Sequence, residues 1–194
     1  MSDVALFLLR FFLFALVHSL LAIPSLKQRF SGRSGHLRRF YRLYYNMVSL
    51  LLFAWVMAAF RNVTVLYVVP GVWSLVLYFV QMVILIILAA CVRQTGAAEF
   101  LGIREQTRDG VKAPRLVTEG WYRVVRHPLY LFSMLFLFSN PVMSSRWFAL
   151  TLVSAVYFLA GALLEEKRLL LEFGNEYMAY KRTVPFLIPR IFKR

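Results

Sequence analysis

Residues 4–23, VALFLLRFFLFALVHSLLAI, run for twenty positions with one full charge, Arg10. As a helix they would cover about 30 Å, the hydrocarbon thickness of a bilayer. A secretory signal is disfavoured, because the apolar stretch is long, its basic residue lies inside it and no small-residue cleavage site follows. Comparable apolar runs recur at 43–60, 72–92 and 145–164, and a shorter one spans 129–140. The whole chain is 60% hydrophobic and 16% charged. Soluble domains carry about 45–50% apolar and about 25% charged residues, so the expected solvent is lipid.

The fourth run is the awkward one. Leu129 to Asn140 as a helix gives about 18 Å, too short to cross. Either it begins near Trp121, with its arginines among the headgroups, or it runs past Pro141. Asn140-Pro141 reads as a hairpin turn. The sequence reading is therefore an all-α integral membrane protein of five transmembrane helices. Residues 1–92 hold three spans, 93–128 form a connector, 129–164 a helical hairpin, and 165–194 a C-terminal amphipathic helix.

Charge sets the expected orientation. Twenty of the 23 lysines and arginines fall in the segments after spans one, three and five. Positive residues stay on the cytoplasmic side, which predicts the N-terminus out and the C-terminus in, in the cell membrane. The net charge of +14 is then a matter of topology and anionic lipid, and no nucleic-acid partner is expected. Arg10, His18 and Gln81 are the candidates for mid-membrane polar residues that would line a transport path, and Arg10 and His18 are expected to face other helices. Cys91, the single cysteine, reads as a small buried hydrophobe.

This topology puts two polar segments on one side, LVTEGWYRVVRHPLY before the fourth span and LLEEKRLLLEFGNEYMAYKRTVPFLIP after the fifth. The hairpin should make Arg126-His127 and Glu165-Glu166 neighbours. Pro128 suits the first position of a helix and biases His127 away from helical geometry. A helix N-terminus beside Arg126 suits an anion, and a guanidinium can grip a carboxylate or phosphate bidentately. The glutamates at the end of a span either pair with Arg126 or Lys112, or hold ligand donors such as ribose hydroxyls or an ammonium. Beyond them Glu166, Leu170, Phe173, Tyr177, Tyr180 and Val184 recur at helical spacing, opposite Arg168, Glu172 and Glu176. That stripe reads as an amphipathic helix lying on the membrane or capping the clusters, ended by Pro185.

No G-x-G, HExxH or G-x-S-x-G occurs, and three scattered histidines make a poor metal site, so none is expected. What remains is a pocket of mixed charge with aromatics at a lipid interface. S-adenosylmethionine fits it, with its carboxylate at Arg126 or the helix N-terminus, its ammonium and ribose at Glu165 or Glu166, and its sulfonium on Tyr122 or Tyr130. Phosphorylated cosubstrates fit almost as well. Arg126, His127 and Glu166 are the candidate catalytic residues.

The pattern LV-x2-G-x-Y, RHP-x-Y, E-E, F-G-x2-Y-x2-Y and VP, over residues 115–189, resembles the integral-membrane isoprenylcysteine carboxyl methyltransferases and their phospholipid N-methyltransferase relatives. The resemblance implies S-adenosylmethionine as cosubstrate, held by Leu116, Val117, Tyr122, His127, Pro128, Tyr130 and Glu165, with Gln106 upstream. It also implies a lipid or lipidated acceptor, methylated on a carboxylate, thiol or amine. Gly161 stands where prenylcysteine-methylating members carry an arginine, and Phe132 where a glycine is usual. The rival readings are an NADPH-dependent membrane reductase of the sterol type and a membrane scaffold or transporter.

Overall fold

The computed structural model describes residues 2–23, 35–96 and 115–190. Among them lie five α-helices: α1 (Asp3–Ala22), α2 (Gly35–Met57), α3 (Val72–Gln94), α4 (Pro128–Phe138) and α5 (Ser145–Thr183). Three, α1, α3 and α5, are long and apolar enough to cross a membrane, and they mark the chain as an integral membrane protein. The five helices match the five expected runs, and the second and fourth fall on shorter apolar helices. In α2 the apolar part is Leu43–Met57, and α4 has only eleven residues. The chain forms two compact units, Met1–Val63 with Gly96–Pro114 and Thr64–Thr95 with Arg115–Arg194.

In the first unit α1 and α2 pair antiparallel, with Phe7 against Phe60 (ring centroids 5.3 Å) and Phe14 against Phe53 (5.8 Å). The intramembrane polar residues close this pair. The last turn of α2 tightens as the Ala59 N–H bonds Val56 O. Arg10 Nη1 then donates to Trp55 O at 2.8 Å, with the guanidinium 4.8 Å from the Trp55 ring centre. A carbonyl at a helix end inside lipid needs such a partner. His18 lies 2.8 Å from Ser49 Oγ and 2.7 Å from the Tyr45 hydroxyl, while Ser49 donates to Tyr45 O. That arrangement suits a neutral ring that donates from Nδ1 and accepts at Nε2.

The second unit carries a feature the sequence reading did not include, a two-stranded antiparallel ribbon of β1 (Val65–Val68) and β2 (Val142–Ser144). It ties the approach to α3 to the turn between α4 and α5. Neither proposed extension of the fourth run occurs. Gly120–Arg123 is a separate 3₁₀ turn, and the chain beyond Pro141 is strand. The end of α4 is instead capped by its neighbours. Gln81 Nε2 donates to Phe136 O (3.1 Å) and Trp147 Nε1 to Leu137 O (3.1 Å). Arg10, His18 and Gln81 thus all bond across helices.

The helix of the fifth run does not stop at residue 164. Helix α5 continues to Gly174, whose φ of 50° and ψ of −120° lie outside helical geometry, and then resumes to Thr183. A straight helix would hold the Cα atoms of Glu166 and Lys181 about 22 Å apart. Their side chains meet at 2.7 Å, so the helix folds back at Gly174. The expected continuous stripe is therefore two short faces brought together. Leu116, Tyr177, Tyr180 and Val184 form one cluster with Leu169 and Phe173 packed on it, while Leu170 is exposed.

The first unit offers a test. Asp3 Oδ2 accepts the backbone N–H groups of Arg61 and Asn62, both at 3.0 Å. Asp3→Ala is expected to cost about 1 kcal/mol, read as a small drop in melting midpoint in detergent.

Candidate functional site

The segments expected to meet do so within the second unit. Pro128 opens α4 at its first turn, and His127 is the N-cap residue with φ −124° and ψ 61°. The peptide before it is anchored, because Arg126 N–H donates to Pro185 O at 2.9 Å. The Arg126 side chain then turns inward. Nε and Nη2 both reach Glu166 Oε1 at 2.6 Å. Nη1 donates to Lys181 O (3.1 Å) and Val184 O (2.6 Å).

Those two carbonyls belong to the end of α5, where four acceptors lack helical donors. One guanidinium thus satisfies a helix end and a carboxylate together. The Arg126 and Glu166 side chains are only 8% and 10% exposed. Lys181 Nζ approaches the other oxygen, Glu166 Oε2, at 2.7 Å. Burial of the glutamate is compensated from both sides, as a charge removed from water requires. The expectation that Arg126 grips a ligand and that Glu166 acts in catalysis meets a different arrangement, in which both are engaged inside the protein. Of the two pairing partners considered for the glutamates, Arg126 is the one seen, and Lys112 lies outside the described residues.

Glu165 points elsewhere. Its Oε2 lies 3.7 Å from His127 Nδ1 and its Oε1 3.6 Å from Arg168 Nη2, and its side chain keeps 33% of its exposure. His127 is buried between the two glutamates. Its Nε2, 3.5 Å from Glu166 Oε1, makes no hydrogen bond. The ring sits against Phe186 (5.0 Å, edge-on) and Tyr130 (5.7 Å). The Tyr130 hydroxyl reaches Glu165. Its ring packs on Phe158, and a Cβ added at Gly161 would lie 3.6 Å from that hydroxyl.

Tyr122, on the 3₁₀ turn, shares this neighbourhood. Burial above all, then Cys91 and Glu165 nearby, push its phenol well above the usual range and keep it a neutral donor. Phe132 packs edge-on against Trp121 at 5.1 Å. Leu116 is buried under Tyr177 and Tyr180, and Val117 is half-buried beside it in sequence. Gln106 lies outside the described residues. Among those residues no group of three or more metal-ligating side chains occurs.

Four contributors escaped the sequence reading as site residues: Lys181, Tyr180, Gln94 and Phe186. Tyr180 was visible as part of the stripe. Lys181 was not, because the corner at Gly174 resets its direction. What the cluster offers chemically is a half-exposed carboxylate, two neutral phenols and a buried imidazole with an unused nitrogen. That set suits a ligand with positive charge and hydroxyl donors.

Two methanethiol S-methyltransferases of Bradyrhizobium diazoefficiens are 40% identical to the chain over 73 and 76 residues. A methanethiol S-methyltransferase of Crocosphaera subtropica is 39% identical over 77 residues. These stretches make up 38%, 39% and 40% of this chain, but only 28%, 27% and 30% of the relatives. The chain therefore matches less than a third of their length. No solved structure matches it. The expected kinship with isoprenylcysteine carboxyl methyltransferases gives way to this partial likeness to methanethiol S-methyltransferases. The family model described as "NnrU protein" matches residues 6–136, a stretch that takes in most of α1 and the RHP-x-Y segment. With well over half of its 194 residues so matched, the chain belongs to the NnrU family.

Proposed function

We propose that the chain is an S-adenosylmethionine-dependent methyltransferase, acting at the cytoplasmic face of the membrane on a lipophilic acceptor. The observation that supports this reading best is the convergence of His127, Tyr130 and Tyr122 around the half-exposed Glu165, beside the fully engaged pair Arg126–Glu166. The partial likeness to methanethiol S-methyltransferases supports the reaction type and favours sulfur as the accepting atom. The cytoplasmic side rests on the basic residues that flank the site.

The residues present fit the cosubstrate. Glu165 offers a carboxylate to ribose hydroxyls or an ammonium. Tyr122 and Tyr130 present aromatic faces to a cation and neutral hydroxyls as donors. The orphaned Nε2 of His127 is a buried polar atom with capacity to spare. Leu116, Val117 and Pro128 line the apolar side. The cosubstrate supplies an electrophilic methyl group, and in-line transfer demands alignment and exclusion of water more than covalent help from the protein. In this reading Arg126 and Glu166 are positioning residues. They fix the peptide on which His127 and Tyr130 stand, and hold the folded-back end of α5 over it.

Two outcomes separate binding from scaffolding. Calorimetry on detergent-purified protein should detect S-adenosylhomocysteine, the demethylated product, and Glu165→Gln should weaken it about tenfold with little change in melting midpoint. Absence of heat with the wild-type protein would remove the reading. Arg126→Met, by contrast, leaves Glu166 buried with half of its partners gone, and is expected to destabilise the fold by about 3 kcal/mol, measured by thermal or denaturant unfolding.

A further inference from the structure

The Gly120–Arg123 turn that carries Tyr122 is gripped from two directions. Below it stands the last residue of α3, Gln94. The Gln94 carboxamide lies over Gly120 so closely that an added Cβ would stand 1.9 Å from its Nε2 and 2.6 Å from its Cδ. Gly120 also holds a φ of +61°, a conformation that glycine adopts without strain. Glycine is thus favoured here by backbone conformation, and the Gln94 carboxamide packs directly against it, although that side chain could swing aside.

From the other side comes Tyr180, on the segment folded back at Gly174. Its hydroxyl donates to the carbonyl oxygen of Tyr122 at 2.5 Å. The turn itself leaves that oxygen unused. Val125 N–H bonds Trp121 O, and Arg126 N–H bonds Pro185 O. Tyr180 therefore supplies the donor for a carbonyl that the local backbone does not serve. Its ring is buried in the cluster with Leu116, Tyr177 and Val184, so the hydroxyl has little freedom to point elsewhere. The phenol of Tyr122 is in turn set among Glu165, Tyr130 and Cys91.

The geometry points to Tyr180 and Gln94 as positioning residues, which fix the Gly120–Arg123 turn and so aim the Tyr122 side chain into the site beside Glu165. Neither residue needs to touch a ligand. Their contribution is to spare the site the cost of ordering this turn when a ligand binds. The inference rests on the functional reading above for the identity of that ligand, S-adenosylhomocysteine serving as the probe.

A double-substitution cycle tests it. Tyr180→Phe keeps the ring and removes only the hydroxyl. Titration calorimetry should show S-adenosylhomocysteine binding roughly tenfold more weakly, with only a modest drop in the ligand-free melting midpoint and a cooperative unfolding transition retained. Once Tyr122 is already alanine, adding Tyr180→Phe should weaken binding no further. Gln94→Ala, from the opposite side of the turn, should show the same dependence on Tyr122 and keeps the test open should Tyr180→Phe fold poorly. Wild-type affinity in Tyr180→Phe and Gln94→Ala, or effects that simply add to that of Tyr122→Ala, would overturn the positioning role while leaving the functional reading intact. A wild-type protein that binds no S-adenosylhomocysteine would overturn the functional reading, and this role with it.

Discussion

A single buried guanidinium organises the second unit. Arg126 meets Glu166 through two nitrogens and the carbonyls of Lys181 and Val184 through a third, while its own N–H holds Pro185. A lysine offers no planar fork and could not serve the carboxylate and the helix end from one place. Two segments forty residues apart are therefore joined by charge-assisted bonds that water cannot easily replace. Around that junction the more exposed Glu165 and the phenols of Tyr122 and Tyr130 remain available to a ligand.

Lipid imposes the second constraint. Backbone carbonyls at a helix end have nowhere to turn in hydrocarbon. The structure meets the demand with long side chains from neighbouring helices, Arg10 for α2, and Gln81 and Trp147 for α4. This lets an eleven-residue helix end short and still satisfy its last turn. Arg10, His18 and Gln81, inside the apolar runs, thus fasten helix ends and helix pairs.

Much of this was legible in the sequence, and the limits have physical causes. The apolar runs fixed the positions of α1 and α3 because length and hydropathy suffice there. Pro128 marked the start of α4 correctly, since the constraint is local. The meeting of Arg126 with Glu166 followed from a hairpin alone. What pattern could not supply was the end of α4, which depends on Gln81 from another helix, and the ribbon of β1 and β2, whose apolar strands read like the flanks of a span. Nor could periodicity reveal the corner in α5. Gly174 interrupts no hydrophobic repeat, so the stripe read straight through it. Gln106 and Lys112 lie outside the described residues, and their expected roles stand as proposals from sequence.

The corner at Gly174 has a bearing on how the protein is made. A chain synthesised from its N-terminus makes Arg126 forty residues before Glu166 and longer still before residues 181–185. Until Glu166, Lys181 and those carbonyls are present, the guanidinium lacks the partners that the folded unit gives it. Closure of the second unit thus depends on the segment beyond Gly174, and α4 with the first part of α5 cannot complete it alone.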